Sequence, residues 1–360
     1  MTDTIANVRA RPVIVPMRRP LATAGGAVSE APLILVDVET ASGIVGRAYS
    51  FAYHAWALRL IMAMYDVLAD RVRGQALDPA AVQEKLWAAF RLLGAKGAAG
   101  QAISGLDMAL WDAAAKEKGR PLYKALGAEA TATPAYNSKG LGMIGAEAAG
   151  REARELLDEG FGALKVRLGY PTLEEDVAVV RAVKAAVPEG TPVMSDYNQS
   201  QEVEEVIRRM KALDAEGLYW VEEPVHYDDF YGHAALRAVV KTPVQTGENC
   251  WFPGEMAKCM AAGACDYFMP DAGKIGGVTG WRGAARLAAA ANLPISSHLY
   301  PEISVHLLAA TPTRHWLEYV DWAEPVLAEP LPVVDGKCTP PEKPGIGIEW
   351  NERAVDKYAV

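Results

Sequence analysis

The sequence predicts an α/β barrel behind a smaller α+β domain, on three observations. Over residues 1–130 strand-like runs come first and helical periodicities follow, the order of an α+β unit. From about Thr131 short apolar runs alternate with amphipathic stretches, each repeat taking roughly 20–30 residues, and eight such runs are the number that closes a barrel. The 360 residues leave room for one large barrel and a companion domain.

The elements follow in order. Ile5–Pro16, Pro32–Thr40 and Val45–Phe51 are rich in Val, Ile and Leu and read as strands, with a mobile loop expected at Gly25-Gly26. Helical periodicity covers roughly Ala55–Val72, Pro79–Leu93 and Ile103–Lys118. The barrel runs are Thr133–Lys139, Ala163–Leu168, Pro192–Asn198, Leu218–Pro224, Pro243–Asn249, Asp266–Ala272, Pro294–Tyr300 and His315–Val320. Leu173–Val187, Glu204–Gly217 and Val278–Asn292 read as crossover helices, which parallel neighbours require. An open doubly wound sheet is the competing architecture. The expected division is 1–130, 131–320 for the barrel, and a Pro/Gly-rich 321–360 that packs back on the first domain.

Composition narrows the function. A hydrophobic share of 51%, a charged share of 22% and a mean hydropathy of +0.01 suit a soluble globular chain. A net charge of −9 argues against a nucleic-acid partner. No apolar run is long enough for a membrane span, and the start lacks the apolar core of a signal peptide, so a cytoplasmic protein is expected. Cys250, Cys259, Cys265 and Cys338 fit no CxxC pattern and are expected to be reduced packing residues.

Seven consecutive runs end in polar or charged residues: Lys165 and Arg167, Asp196 and Asn198, Glu222 and Glu223, Glu248 and Asn249, Asp271, His298, and Glu318. Strand C-termini form the catalytic face of a barrel, so these side chains should converge. Asp196, Glu222 and Glu248 are evenly spaced, one hard oxygen ligand per strand, which suits Mg²⁺. Salt bridges to neighbouring Lys or Arg are the plainer alternative. His298 beside Asp271 has the make-up of a general base, because a carboxylate fixes the imidazole tautomer and raises its basicity. His54, His226, His233, His306 and His315 read as packing or surface residues. Gly273-Lys274-Ile275-Gly276-Gly277 fits no phosphate loop and reads as a tight strand-to-helix turn.

The stretches AVSEAPLILVDV, GFGALKVRLGYP, SDYNQS, WVEEP, TGEN, MPDAGKIGGVTGW, SSHL, EISVHLLAATPT and HWLEY carry a resemblance to the enolase superfamily, mandelate racemase-like, over essentially the whole chain. The resemblance implies a (β/α)₇β modified TIM barrel with an α+β capping domain formed from both chain ends. It implies Mg²⁺ on Asp196, Glu222 and Glu248, with Lys165 against the substrate carboxylate. Asp271 and His298 would handle the proton of an (R)-configured carbon. Glu318 would hydrogen-bond the enediolate as an acid, with Asn198, Ser138 and Lys274 as polar contacts. A homo-oligomer and a small carboxylate substrate are expected by the same likeness.

One position departs from the pattern. The racemases carry Lys-x-Lys on the second strand, whereas this chain has Lys165-Val166-Arg167. A guanidinium keeps its proton at ordinary pH, so Arg167 is a poor base and a good clamp. That favours chemistry with His298 alone, such as dehydration of an acid sugar to a 2-keto-3-deoxy acid. Leu21, Val28 and Tyr53, near Phe51, make an apolar cover that suits an aromatic or alkyl 2-hydroxy acid instead. Racemisation or epimerisation of a mandelate-like acid is the leading expectation, dehydration the second, and a carboxylate binder with weakened catalysis the third.

Overall fold

The computed structural model describes residues 3–360. Strands β1 (Ile5–Thr23), β2 (Gly26–Thr40) and β3 (Val45–Phe51) form an antiparallel sheet in that order. The first two are longer than the sequence suggests. Pro16 and Pro20 have no N–H to give and the register slips between Pro16 and Leu21, but pairing resumes at Leu21–Val28 and continues to Thr23–Gly26. The expected loop at Gly25-Gly26 is therefore the tip of a long hairpin. The tip is seated on the barrel: Met143 N–H donates to the Ala22 carbonyl at 2.7 Å. A Cβ at Gly142 would meet that same oxygen at 2.7 Å, so the approach requires glycine there.

Helices α1 (Leu58–Val72), α2 (Pro79–Ala89) and α3 (Ala98–Glu117) follow. α3 begins earlier than its apolar periodicity indicates, because Gly97 at φ 70° starts a first turn of Ala and Gly that carries no pattern. It is buried nearly all round, and a Cβ at Gly46 of β3 would lie 2.1 Å from the Ala109 carbonyl. After α4 (Leu122–Ala125) the parallel sheet begins with β4 (Thr133–Asn137), α5 (Ala146–Asp158), β5 (Leu164–Arg167), α6 (Leu173–Ala186), β6 (Val193–Asp196) and α7 (Val203–Leu213). It continues through β7 (Val221–Glu222), α8 (Phe230–Arg237), β8 (Val244–Thr246), α9 (Phe252–Ala261), β9 (Tyr267–Phe268), α10 (Gly277–Ala291), α11 (Pro301–Ala309) and β10 (Leu317–Tyr319). β4 through β9 are parallel neighbours in chain order, with β10 against β4.

The seventh expected strand, Pro294–Tyr300, is the exception. It links the β9 segment to the chain ahead of β10 through isolated bridges, Ile295 to Phe268 and His298 to Asp271 on one side and Ile295 to Arg314 on the other. Pro294 has no N–H, and Leu299 and Tyr300 turn left-handed at φ 49° and 50°, which ends the extended backbone after His298. Beyond β10, β11 (Lys337–Cys338) pairs antiparallel with β4, and α12 (Glu352–Tyr358) returns to β1, where Glu352 pairs with Arg11 at 2.5 Å. All four cysteines are buried free thiols. No helix among the described residues is long and apolar enough to cross a membrane.

Two buried acids tie the first sheet and helices to the barrel. Asp107 of α3 accepts the Thr279 N–H and hydroxyl at 2.9 and 2.6 Å, where Gly277 at φ 63° leaves no space for a Cβ. Glu302 of α11 accepts the Tyr49 hydroxyl at 2.7 Å. Burial pushes each up to about 7 against its hydrogen bonds. An acid raised on folding stabilises through its protonated form. Its contribution is complete below the ordinary carboxylate range and is lost as pH rises through about 7. For Glu302 the displacement corresponds to roughly 3 kcal/mol. Glu302→Gln is therefore expected to flatten the fall of Tm between about pH 5 and 8, with Asp107 keeping a residual slope. An unchanged slope would place the titration elsewhere.

Candidate active site

The strand ends bring together a buried polar floor. Lys165 at the end of β5 is 1% exposed and touches three carboxylates: Glu222, Glu318 at 2.8 Å and Asp196 at 3.3 Å. Burial opposes its charge, but Glu222, Glu318 and Asp196 outweigh burial and hold the ammonium firmly protonated. Asp196 and Glu222 sit side by side in the β6–β7 register. Glu222 also accepts from Trp220 Nε1 at 3.1 Å and Gln245 Nε2 at 3.2 Å. Burial, and behind it Asp196, Glu318 and Glu248, push Glu222 up to about 8 against the pull of Lys165.

His298 lies across the floor. Its Nδ1 is 2.6 Å from Asp271 Oδ2, and the other Asp271 oxygen accepts the Gly273 N–H at 2.6 Å. Its Nε2 is 3.3 Å from Glu248 and 3.9 Å from Glu318. Burial would lower the imidazole; Glu248 first, then Glu318 and Asp271, overcome it and raise it to about 9. A carboxylate on each side thus makes this ring more basic than a histidine paired with Asp271 alone. Glu318 accepts from Ser138 Oγ at 2.7 Å and from the Leu299 N–H at 2.9 Å. Burial would raise it, but Lys165 and His298 hold it below the ordinary carboxylate range.

Arg167 is 4% exposed and lies on one side of the floor. Its guanidinium donates to the Ser138 and Gly140 carbonyls at 3.2 and 2.7 Å and to Ser138 Oγ at 2.7 Å, while Nε has no partner among the described residues. Asn198, at φ 47°, turns its side-chain N–H onto Asp196 at 3.1 Å and leaves its amide oxygen without a partner among the described residues. A buried polar atom without a partner costs about 1–3 kcal/mol, so both face a site built for a polar guest.

A cavity of about 250 Å³ lies over this floor, and Lys165, Arg167, Asp196, Glu248, His298 and Glu318 reach it. Asp271 stands behind His298 and Glu222 beneath Lys165. Ser138 and Asn198 line the cavity, and Leu21, Val28 and Tyr53 roof it together with Phe51. Lys274, expected as a substrate contact, is not among the residues lining it: the side chain turns to Asn249 Oδ1 at 2.6 Å and lies 4.3 Å from the Tyr53 ring centroid. The structure adds Leu299, Val320, Trp322 and His54, read from sequence as surface or packing. Val320 and Trp322 continue the alternation set by Glu318, a signal that was present in the sequence.

The expected metal trio is brought to one rim but not into one cage. No three His, Cys, Asp or Glu side chains among the described residues form a closed cation-binding cluster. The reason is local electrostatics: Lys165 draws Asp196 and Glu222, and His298 draws Glu248. The donor chemistry still fits a hard divalent cation, since Asp196, Glu222 and Glu248 are three buried carboxylates on successive strands and Glu222 is raised by burial and by its acidic neighbours.

Comparison with known proteins places this architecture. Residues 5–127 match the mandelate racemase / muconate lactonizing enzyme N-terminal domain, and residues 148–354 match the enolase C-terminal domain-like family. The chain belongs to the enolase superfamily, in its mandelate racemase-like branch. It is 32% identical to an L-talarate/galactarate dehydratase of Salmonella typhimurium, over 91% of this chain and 82% of that one. A Bradyrhizobium enolase, solved with magnesium and mandelic acid, superposes with a TM-score of 0.96 at 43% identity, covering 100% of this chain and 99% of that one. An enolase from the alphaproteobacterium bal199, solved with bound magnesium, gives 0.98 at 40% identity with both chains fully covered.

Proposed function

We propose that this chain is a Mg²⁺-dependent enzyme in which His298 removes the α-proton of a 2-hydroxycarboxylate, and that it racemises or epimerises a mandelate-like acid. The observation that carries the proposal is the dyad: Nδ1 of His298 is fixed by Asp271 at 2.6 Å, and the side chain reaches a cavity floored by Lys165, Asp196, Glu248 and Glu318. Asp196, Glu222 and Glu248 would hold the cation, which when bound offsets negative charge on the carboxylate as the enediolate develops. Lys165 presents a buried ammonium to the same charge, and the proton passes to Nε2 of the neutral His298 ring, the form that gains as pH rises toward its raised value. Arg167, Asn198 and Ser138 orient polar oxygens of the substrate. Leu21, Val28 and Tyr53 receive an apolar substituent, in keeping with the mandelic acid in the Bradyrhizobium relative. In this account 131–320 is the catalytic barrel, 1–130 the cap that roofs it, and 321–360 a segment returning to the cap. The enzyme works in the cytoplasm.

One observation favours a second outcome, acid-sugar dehydration. Arg167 is committed to two carbonyls and a hydroxyl, so nothing on its side of the floor acts as a base, and the Salmonella relative is named a dehydratase. Polarimetry on separate (R)- and (S)-mandelate, beside a 2-keto acid assay on an acid-sugar panel, separates the two. Arg167→Lys is expected to raise mandelate interconversion by about 10²-fold, the usual contribution of a positioned base. A 2-keto product from an acid sugar with both mandelates left untouched would replace racemisation by dehydration.

A further inference from the structure

Glu223 and Lys274 are buried and Asn249 is half-buried, yet the proposed reaction uses none of them, and none is among the residues lining the cavity. They form a chain of hydrogen bonds. Asn249 Nδ2 donates to both Glu223 oxygens at 3.1 and 2.9 Å and to Glu248 Oε1 at 3.2 Å, and Asn249 Oδ1 accepts from Lys274 Nζ at 2.6 Å. These partners fix the amide in one orientation, because an ammonium requires its carbonyl and carboxylates require its N–H groups. Glu223 stands at φ 35° directly after Glu222, a left-handed conformation that residues other than glycine seldom adopt. Its backbone is held there from both sides, its N–H donating to the Gln245 carbonyl at 3.1 Å and its carbonyl accepting the Gln199 N–H at 2.8 Å.

We propose that Asn249 is a positioning residue for Glu248, and that Glu223 and Lys274 hold its amide in the orientation that does so. The proposal rests on the assignment of Glu248 to the cation. Glu248 divides its two oxygens, Oε1 taking the Asn249 N–H and Oε2 facing His298 Nε2 at 3.3 Å. The bond from Asn249 is the one hydrogen bond that the Glu248 side chain accepts among the described residues. An N–H on one oxygen limits rotation of the carboxylate and stabilises its charge, so the acid waits in the state that a cation takes. Charge alone predicts the opposite for Lys274. An ammonium beside a cation site repels the incoming ion, so its removal would tighten Mg²⁺ binding, whereas loss of its hold on Asn249 loosens it.

The test is Mg²⁺ affinity by titration calorimetry on the full chain after dialysis against a chelator, with Tm measured in parallel. Glu248→Gln is expected to weaken binding, which checks the assignment beneath the proposal. Asn249→Ala is expected to weaken it about 10-fold or more, the usual cost of losing a partner behind a metal ligand. Lys274→Met is expected to weaken it too, and Asn249→Ala/Lys274→Met to bind no more weakly than Asn249→Ala, since Lys274 acts through the amide. Should Asn249→Ala fail to fold, Lys274→Met decides by the sign of its effect. Wild-type affinity in Asn249→Ala beside a weakened Glu248→Gln would overturn the proposal and leave the metal assignment standing. So would tighter binding in Lys274→Met, or additive losses in the double variant. Wild-type affinity in Glu248→Gln would overturn the assignment, and the proposal with it.

Discussion

His298→Asn is expected to lower α-proton exchange by at least about 10³-fold, with little change in the binding of a carboxylate. A positioned base contributes about 10²–10⁴-fold, and no second histidine among the described residues stands within reach of Asp271. The asparagine amide keeps the volume and a contact to Asp271 but cannot take a proton. In the proposed mechanism carboxylate binding rests on Lys165, Arg167 and the acids proposed to hold the metal, which the substitution leaves in place, so the loss should fall on kcat rather than KM. Exchange in the variant within 10-fold of the wild type would move the base elsewhere.

Lys165→Met is expected to fail in two ways at once. The ammonium touches Asp196, Glu222 and Glu318, all buried, and removing it leaves three carboxylates facing one another. Breaking a buried charge network of this kind costs about 3–5 kcal/mol, visible as a lower Tm. Added Mg²⁺ should recover part of that loss, because a divalent cation on Asp196 and Glu222, two of these acids, supplies the missing positive charge. Turnover should fall by about 10³-fold and not recover, since the ammonium is a preorganised partner for charge that develops on the substrate. A variant with unchanged Tm, or with turnover within 10-fold, would show that Lys165 neither balances the acids nor serves the reaction.

The floor was legible in the sequence because barrel strands place their last residues on one face. The alternation of apolar runs and helices fixed which residues those were, and Asp196, Glu222, Glu248, Asp271, His298 and Glu318 all arrive there. What the sequence did not reveal is which of them pair. Lys165 between Asp196 and Glu222, and Glu248 turned to His298, are outcomes of charge balance in a buried space. The hairpin tip was misread because a Gly-Gly pair between two proline-broken strands resembles a loop. The cover that Leu21 and Val28 make was expected, and the contact of Ala22 with Gly142 and Met143 holds it on the barrel. Lys274 was placed by its position in the chain after Asp271, whereas its direction is set by Asn249 and the Tyr53 ring. The run at Pro294–Tyr300 was rightly placed as the segment presenting His298, but it joins its neighbours only through isolated bridges because proline and two left-handed residues interrupt the ladder.

The most direct measurement is proton NMR in D₂O with Mg²⁺, following the α-hydrogen of (R)-mandelate, (S)-mandelate and a panel of acid sugars in wild-type protein and in His298→Asn. The account predicts loss of the α-signal from at least one 2-hydroxycarboxylate in the wild type, dependent on added Mg²⁺ and absent in the variant. No exchange from any of these acids in the wild type would contradict it and leave a protein that holds carboxylates without turning them over.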